Sequence, residues 1–297
     1  MNNSAEIHIT SDTMLLPAIK SWEIFLYDQG RSIFTIKAFL GDLKLFASYF
    51  PADTTIGRIT LKDINQFLEW LQKERGVPCS PKSLSRRITS VKSFFRWLTQ
   101  TGRLSIDPAE EVLQQSVISP LPQVLSPEEE LKVIEIANAY RELPRLDPRP
   151  YTLVALLLTT GIKKGECLNL NLNHIDTHDP NGPTLFIRYS NSGSRYKERK
   201  IALTNDWITV YQEYLAKYKP VEQLFPWSPR RLEYLLEDIG REAGLDKHLS
   251  FDMCRWTSAL NDWQSDMDRE NLRQKLGISK IQWREISMKL RQLAGEK

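Results

Sequence analysis

The sequence predicts a mainly α-helical protein in two domains, with one small antiparallel β-sheet in the second. Three observations lead there. Residues 14–112 carry four stretches of helical apolar spacing joined by short polar breaks. The stretch Ser116-Val117-Ile118-Ser119-Pro120-Leu121-Pro122 then reads as extended, because prolines deny helix to themselves and to their predecessors. Beyond it, two β-like runs flank a polar loop before helices resume. At 297 residues, two cores are the natural expectation.

In the first part, helices are expected at Leu15–Tyr27, Ile33–Phe50, Leu61–Arg75 and Pro81–Thr101, with breaks such as Asp28-Gln29-Gly30-Arg31 and Gly76-Val77-Pro78. Thr60-Leu61-Lys62-Asp63 has a capping-box outline with Asp in place of the usual Glu. A flexible N-terminus (1–13), a helical domain (14–112) and a linker (113–125) follow from this pattern.

The second domain (126–297) opens on Ser126-Pro127-Glu128-Glu129-Glu130, which offers a cap, a proline at the first helical position and acids in the first turn. An apolar run from Leu153 to Leu158 ends at Gly161, and Glu166 opens a second amphipathic stretch reaching Leu172. Asp179-Pro180-Asn181-Gly182 marks a turn. Thr184–Tyr189 and Lys200–Leu203 read as two antiparallel strands, and helices resume at 207–219, 229–243, 251–264, 268–276 and 280–293.

No run approaches 18 apolar residues, and the polar N-terminus lacks a signal-peptide core. Three scattered cysteines argue against a disulfide frame. A cytoplasmic protein without a membrane partner is expected, nucleoid-associated if bacterial. The net charge of +3 says little by itself. Its distribution says more: between Arg75 and Arg103 lie seven basic residues and no acidic one, a local field that attracts polyanions.

Those cations fall largely on one predicted helix. At 100° per residue, Leu84, Ile88, Val91, Phe95 and Leu98 share an arc of about 80°, a buried stripe. Lys82, Arg86, Lys92 and Arg96 form a strip roughly opposite, suited to a phosphate backbone or to solvent. Trp70, Phe94 and Trp97 are expected in the core rather than stacked on bases.

Further on, Lys163 stands just past Gly161, where a fixed cation can meet an anion at a helix start. The loop 190–200 carries Arg195, Lys197 and Arg199, a cationic hairpin tip that reaches a groove or is simply exposed. Arg230 and Arg231 open a helix after Ser228. Arg255 is one more anion ligand or an ion-pair partner. His174 and His178 lack a cysteine or carboxylate partner motif, so no metal is expected. There is no Walker-type loop and no Cys-x-x-Cys.

Taken in order, these motifs resemble the tyrosine recombinases, the phage integrase and Xer-like family, across nearly the whole chain. Thr160-Gly161-Ile162-Lys163-Lys164-Gly165-Glu166 resembles the family's Thr-Gly-Leu-Arg-x-x-Glu box. Lys197–Leu203 resembles the end of its β-hairpin, Asp252-x-x-Arg255 its His-x-x-Arg box, and Leu276-Gly277-Ile278 its Leu-Gly-His turn. The resemblance implies a helical core-binding, SAM-like domain and a catalytic-type α+β domain that together clamp duplex DNA, with no cofactor.

It also places this chain's residues in catalytic positions, and most depart from the pattern. Lys163 stands at the first arginine, Ser194 near the hairpin lysine, where Arg195 and Lys197 could substitute from either side, and Asp252 at the first histidine. Arg255 is retained, Ile278 replaces the second histidine or tryptophan, and Ser287 stands at the tyrosine. The residues after Tyr234 contain no tyrosine at all. The expected function is therefore DNA binding without tyrosine-type cleavage, as an architectural, targeting or regulatory partner in recombination or integration. Two alternatives stand beside it: an active recombinase with remodelled chemistry, or chemistry supplied in trans within a mixed oligomer through exchange of residues 280–297; and a protein-interaction scaffold without a DNA role. Duplex DNA is the expected partner, with self or an active recombinase as a second.

Overall fold

The computed structural model describes residues 9–114, 120–142 and 144–296. It divides into two compact units, with the boundary between Pro120 and Leu121.

The first unit is built on α1 (Leu15–Asp28), α2 (Ile33–Tyr49), α3 (Leu61–Lys73) and α4 (Pro81–Gln100). Hydroxyl caps fix three of the starts. Ser32 Oγ accepts from Thr35 N at 3.1 Å, and Ser80 Oγ accepts from Ser83 N at 3.2 Å with Pro81 at the first helical position. Thr60 and Asp63 close the expected capping box. Aromatic rings fill the interior: Trp22 stacks on Phe39 with centroids 5.7 Å apart, and Phe46 meets Phe67 edge-on at 5.0 Å. The stripe Ile88, Val91, Phe95 and Leu98 is buried as expected, as are Phe94 and Trp97, while Leu84 and Trp70 are partly buried.

The N-terminus differs from expectation over residues 9–13. Ile9 is buried, and Ser11 O accepts from Gly57 N at 2.8 Å, so this stretch is pinned by burial and backbone pairing rather than free. Residues 1–8 lie outside the described residues. So does the centre of the expected linker, 115–119; on either side of it, Gln114 Nε2 donates to Thr89 Oγ1 at 2.8 Å, and Leu125 N donates to Thr257 Oγ1 at 2.9 Å.

The second unit runs α5 (Pro127–Ala139), α6 (Arg149–Thr160), α7 (Lys164–Leu168), β1 (Ile175–Asp176), β2 (Thr184–Ile187), β3 (Arg199–Ala202), α8 (Asn205–Tyr218), α9 (Pro229–Glu242), α10 (Phe251–Gln264), α11 (Arg269–Lys275) and α12 (Lys280–Leu293). Helix α6 is the hub. Leu153, Val154, Leu156 and Leu157 are all fully buried, because α5, α8, α9 and α10 surround it. The sheet has order β1-β2-β3, with Thr184 opposite Ala202 and Ile187 opposite Arg199. Strand β1 was not expected, since two residues carry no readable period. The amphipathic stretch from Glu166 also breaks early: α7 ends at Leu168 and a 3₁₀ turn covers Leu172–His174. The loop between the strands winds as a 3₁₀ turn over Ser192–Lys197.

A smaller core joins α10, α11 and α12 through Leu260, Trp263, Leu272, Leu276, Ile278 and Leu290. Helix α12 packs on its own chain, with Leu290 fully buried and Trp263 Nε1 donating to Glu296 Oε1 at 2.7 Å. No helix among the described residues is long and apolar enough to cross a membrane.

Candidate functional site

Two of the four cations of the basic strip on α4 are engaged within the first unit. Arg86 turns onto Asp42 of α2 at 2.8 Å, and Lys92 Nζ donates to the carbonyls of Glu110 and Val112 at 2.9 and 2.8 Å. Both belong to the strip suited to phosphate or to solvent; in this structure a buried carboxylate from another helix and two loop carbonyls partner them. The acid missing from residues 75–103 is thus supplied by α2. Lys82 and Arg96 are exposed and form no ion pair among the described residues.

In the second unit the chain brings Lys163, Arg199 and Arg255 together. Gly161 ends α6 in the left-handed region at φ 59°, which turns the chain so that Lys163 becomes the residue before α7. Three residues on, Glu166 accepts from Lys163 N at 2.9 Å. The same carboxylate grips Arg199 through two contacts, Nη2–Oε2 at 2.9 Å and Nη1–Oε1 at 3.0 Å, and accepts from the Tyr189 hydroxyl. Arg199 was expected at the cationic hairpin tip. Its side chain is 8% exposed and faces inward, because Glu166 needs a partner once α7 buries it.

A row of carbonyls receives these cations. Arg199 Nε donates to Lys275 O at 2.5 Å, Arg255 Nη2 to Leu276 O at 2.8 Å, Lys163 Nζ to Gly277 O at 3.0 Å and Arg273 Nη1 to Ile278 O at 2.6 Å. These are the last carbonyls of α11 and the turn after it, the negative end of a helix, where cations are stabilising. Arg255 Nη1 also donates to Gly161 O, which ties the turn after α6 to the turn after α11.

Burial governs the charges here. It lowers Lys163 to about 8, with Arg255 and Arg199 adding repulsion against the pull of Glu166. Arg255 is lowered to about 10, again chiefly by burial. For Glu166 burial acts the other way, but the hydrogen bonds and charge of Arg199, with Tyr189 and the Lys163 amide, outweigh it and hold the carboxyl down at about 2.

The remaining expected residues are more dispersed. Arg195 is exposed on the 3₁₀ turn beside half-buried Ser194, and the Lys197 ammonium lies 5.1 Å from the Tyr196 ring centroid. Arg230 and Arg231 are exposed at the start of α9, with Arg230 Nε donating to Tyr234 Oη at 2.7 Å. Asp252 is exposed in the first turn of α10, and Ile278 is buried in the smaller core. Ser287 Oγ donates to Arg284 O at 3.2 Å on α12, while its neighbour Glu285 pairs with Lys289 at 2.7 Å. His174 Nδ1 accepts from Asn171 N at 3.3 Å and closes the 3₁₀ turn.

Sequence reasoning missed Glu166, Tyr189, Arg273 and Gly277 as site residues. Glu166 carried a signal, an acid three residues into a helix start. Tyr189 and Arg273 carried none.

Residues 123–286 match the phage integrase family, and residues 19–102 match the phage integrase N-terminal SAM-like domain. The chain belongs to the phage integrase family. A relative is the tyrosine recombinase XerD of Listeria innocua, 26% identical over 285 residues that cover 88% of this chain and 89% of the relative. Another is the tyrosine recombinase XerC of Oceanobacillus iheyensis, 30% identical over 59% of this chain and 55% of the relative. Among solved structures, a lambda integrase dimer bound to a COC′ core site superimposes with a TM-score of 0.70 at 16% identity, covering 93% of this chain and 78% of that one. The XerH site-specific recombinase bound to difH substrate gives 0.68 at 17% identity, covering 93% and 83%. These likenesses establish the shared family fold: a mainly helical chain with a small three-stranded antiparallel sheet, a SAM-like unit and an integrase-type unit.

Proposed function

We propose that this protein binds duplex DNA in the manner of its family but does not cleave it by the tyrosine mechanism, and that it serves as an architectural, targeting or regulatory partner in recombination or integration. One observation carries the reading. The position that the sequence resemblance puts at the family's nucleophile is Ser287, whose hydroxyl donates to its own helix backbone and whose neighbour Glu285 is paired with Lys289. A serine needs an activating base to attack phosphorus, and among the described residues no carboxylate or histidine hydrogen-bonds the Ser287 hydroxyl. Asp252 and Ile278 add to the case, since one places a negative charge where the family has a histidine and the other has no proton to give.

Phosphate contacts need charge rather than catalytic geometry. Lys82 and Arg96 on α4, Arg195 and Lys197 on the hairpin turn, Arg230 and Arg231 on α9, and the Lys163–Arg255 pair supply that charge. That relatives are solved with DNA supports the reading. The test is a gel shift on a duplex library, followed by denaturing electrophoresis on a nicked suicide substrate. Salt-sensitive binding without a covalent product is expected; a covalent protein–DNA band refutes the loss of cleavage.

A further inference from the structure

A groove of about 680 Å³ opens in the first unit where α4 finishes. Its floor is apolar: Ile56 and Ile59 are buried and Leu104 is half-buried, while Ile106 stands at the edge, 76% exposed. The rim is acidic. Asp107, Glu110 and Glu111 line it, and the one cation among the described lining residues, Arg103, has its guanidinium 5.1 Å from the Trp97 ring centroid. None of the three carboxylates forms an ion pair among the described residues.

Both walls are fixed by the chain's own bonds. On one side Gly57 N donates to Ser11 O at 2.8 Å, and Ile56 N donates to Thr13 O at 2.9 Å. On the other, Asp107 Oδ1 accepts from Ala109 N at 2.8 Å, and Lys92 Nζ donates to the carbonyls of Glu110 and Val112. Lys92 therefore sets the acidic wall in place. A preformed groove loses little conformational freedom when a ligand docks.

Charge decides what fits. Unpaired carboxylates repel a nucleic-acid backbone, and an apolar floor offers a phosphate no donor. Lys82 heads α4, and roughly 27 Å of helix, at about 1.5 Å per residue, separates it from Gln100 at the groove end. An apolar patch rimmed by polar groups has the character of a protein contact surface. We propose that this groove docks a short segment of a partner protein, an apolar anchor flanked by lysine or arginine. The anchor covers Ile59, Leu104 and Ile106, and the flanking cations meet Glu110 and Glu111. This surface goes beyond the DNA reading and stands without it; together the two give the first unit a DNA-facing end and a protein-facing end.

The experiment is methyl NMR on the full chain, titrated with a short peptide in which a Leu-Phe pair is flanked by Lys-Arg pairs. The methyls of Ile59, Leu104 and Ile106 are expected to shift saturably at submillimolar peptide. A peptide with Glu-Asp flanks, one with Ser-Ser in place of Leu-Phe, and a duplex at low salt should each leave them in place. Glu110→Lys combined with Glu111→Lys is expected to weaken binding about tenfold by turning rim attraction into repulsion. Ile106→Asp should abolish it, and the unfolding midpoint should hold because all three side chains are exposed. Absence of saturable shifts, or equal shifts with the Glu-Asp peptide, overturns the proposal. Shifts caused by the duplex overturn it in favour of nucleic acid. Self-association that Ile106→Asp abolishes assigns the groove to a second copy and overturns it too. So do methyl shifts on removing residues 1–8, which assign the groove to the chain's own N-terminus.

Discussion

Arg199 Nη2 lies 2.9 Å from Glu166 Oε2, in an ion pair whose side chains are 8% and 3% exposed. The pair joins α7 to the edge strand β3, and the Arg199 Nε carries the connection on to the end of α11. Breaking one partner of such a pair leaves an uncompensated buried charge. Glu166→Gln is expected to cost about 3–5 kcal/mol of stability, read from urea unfolding. Its carboxyl is held at about 2 against an ordinary 4.5, so this contribution is complete above the ordinary value and is lost as pH falls toward about 2.

On α4 the four expected cations should separate into two pairs. Arg86→Gln takes the 2.8 Å partner from buried Asp42 and is expected to lower stability by about 1–3 kcal/mol. Lys82→Gln and Arg96→Gln should leave the unfolding midpoint alone and each reduce the salt slope of duplex binding by about 1. Fluorescence anisotropy across a salt series distinguishes the two outcomes.

If Lys163 meets phosphate as proposed, duplex binding should depend on pH near 8. Burial lowers Lys163 to about 8, so duplex affinity should fall as pH rises through that value. Lys163→Arg keeps its charge over that range and should flatten the profile. Stability should move the other way: the folded state holds fewer protons than the unfolded one between about 8 and the ordinary 10.5, so Lys163 favours folding as pH rises there.

Gly277→Ala should destabilise the integrase-type unit by roughly 1 kcal/mol or more. The new Cβ would stand 2.7 Å from Arg199 Cζ, on backbone at φ 58° that alanine resists. Thermal unfolding reads the cost directly.

Ser287→Ala should be silent in both duplex binding and unfolding. Its hydroxyl bonds only to Arg284 O within its own helix, and such substitutions usually fall within about 0.5 kcal/mol. A loss of any DNA-processing activity in this variant would contradict the assignment of Ser287 as a plain helix residue.

Most helices were legible because caps and apolar periodicity are local. Ser80-Pro81, Thr60 with Asp63, and Ser126-Pro127 with Glu129 start helices where the sequence says they should. Strand β1 was not legible, being held by its pairing of Ile175 with Leu185 rather than by any pattern of its own. Charge was the least legible property. Arg86, Lys92 and Arg199 read as surface cations, yet each meets an acceptor 18 to 48 residues away along the chain.

The sequence alone determined the two-part helical plan and the hairpin, because these depend on residue identity and short spacing. Only the tertiary structure decided which cations remain available. A guanidinium or ammonium goes to whichever buried acceptor the fold brings within reach, and Asp42, Glu166 and the carbonyls after α11 come from segments that no local pattern connects to their partners.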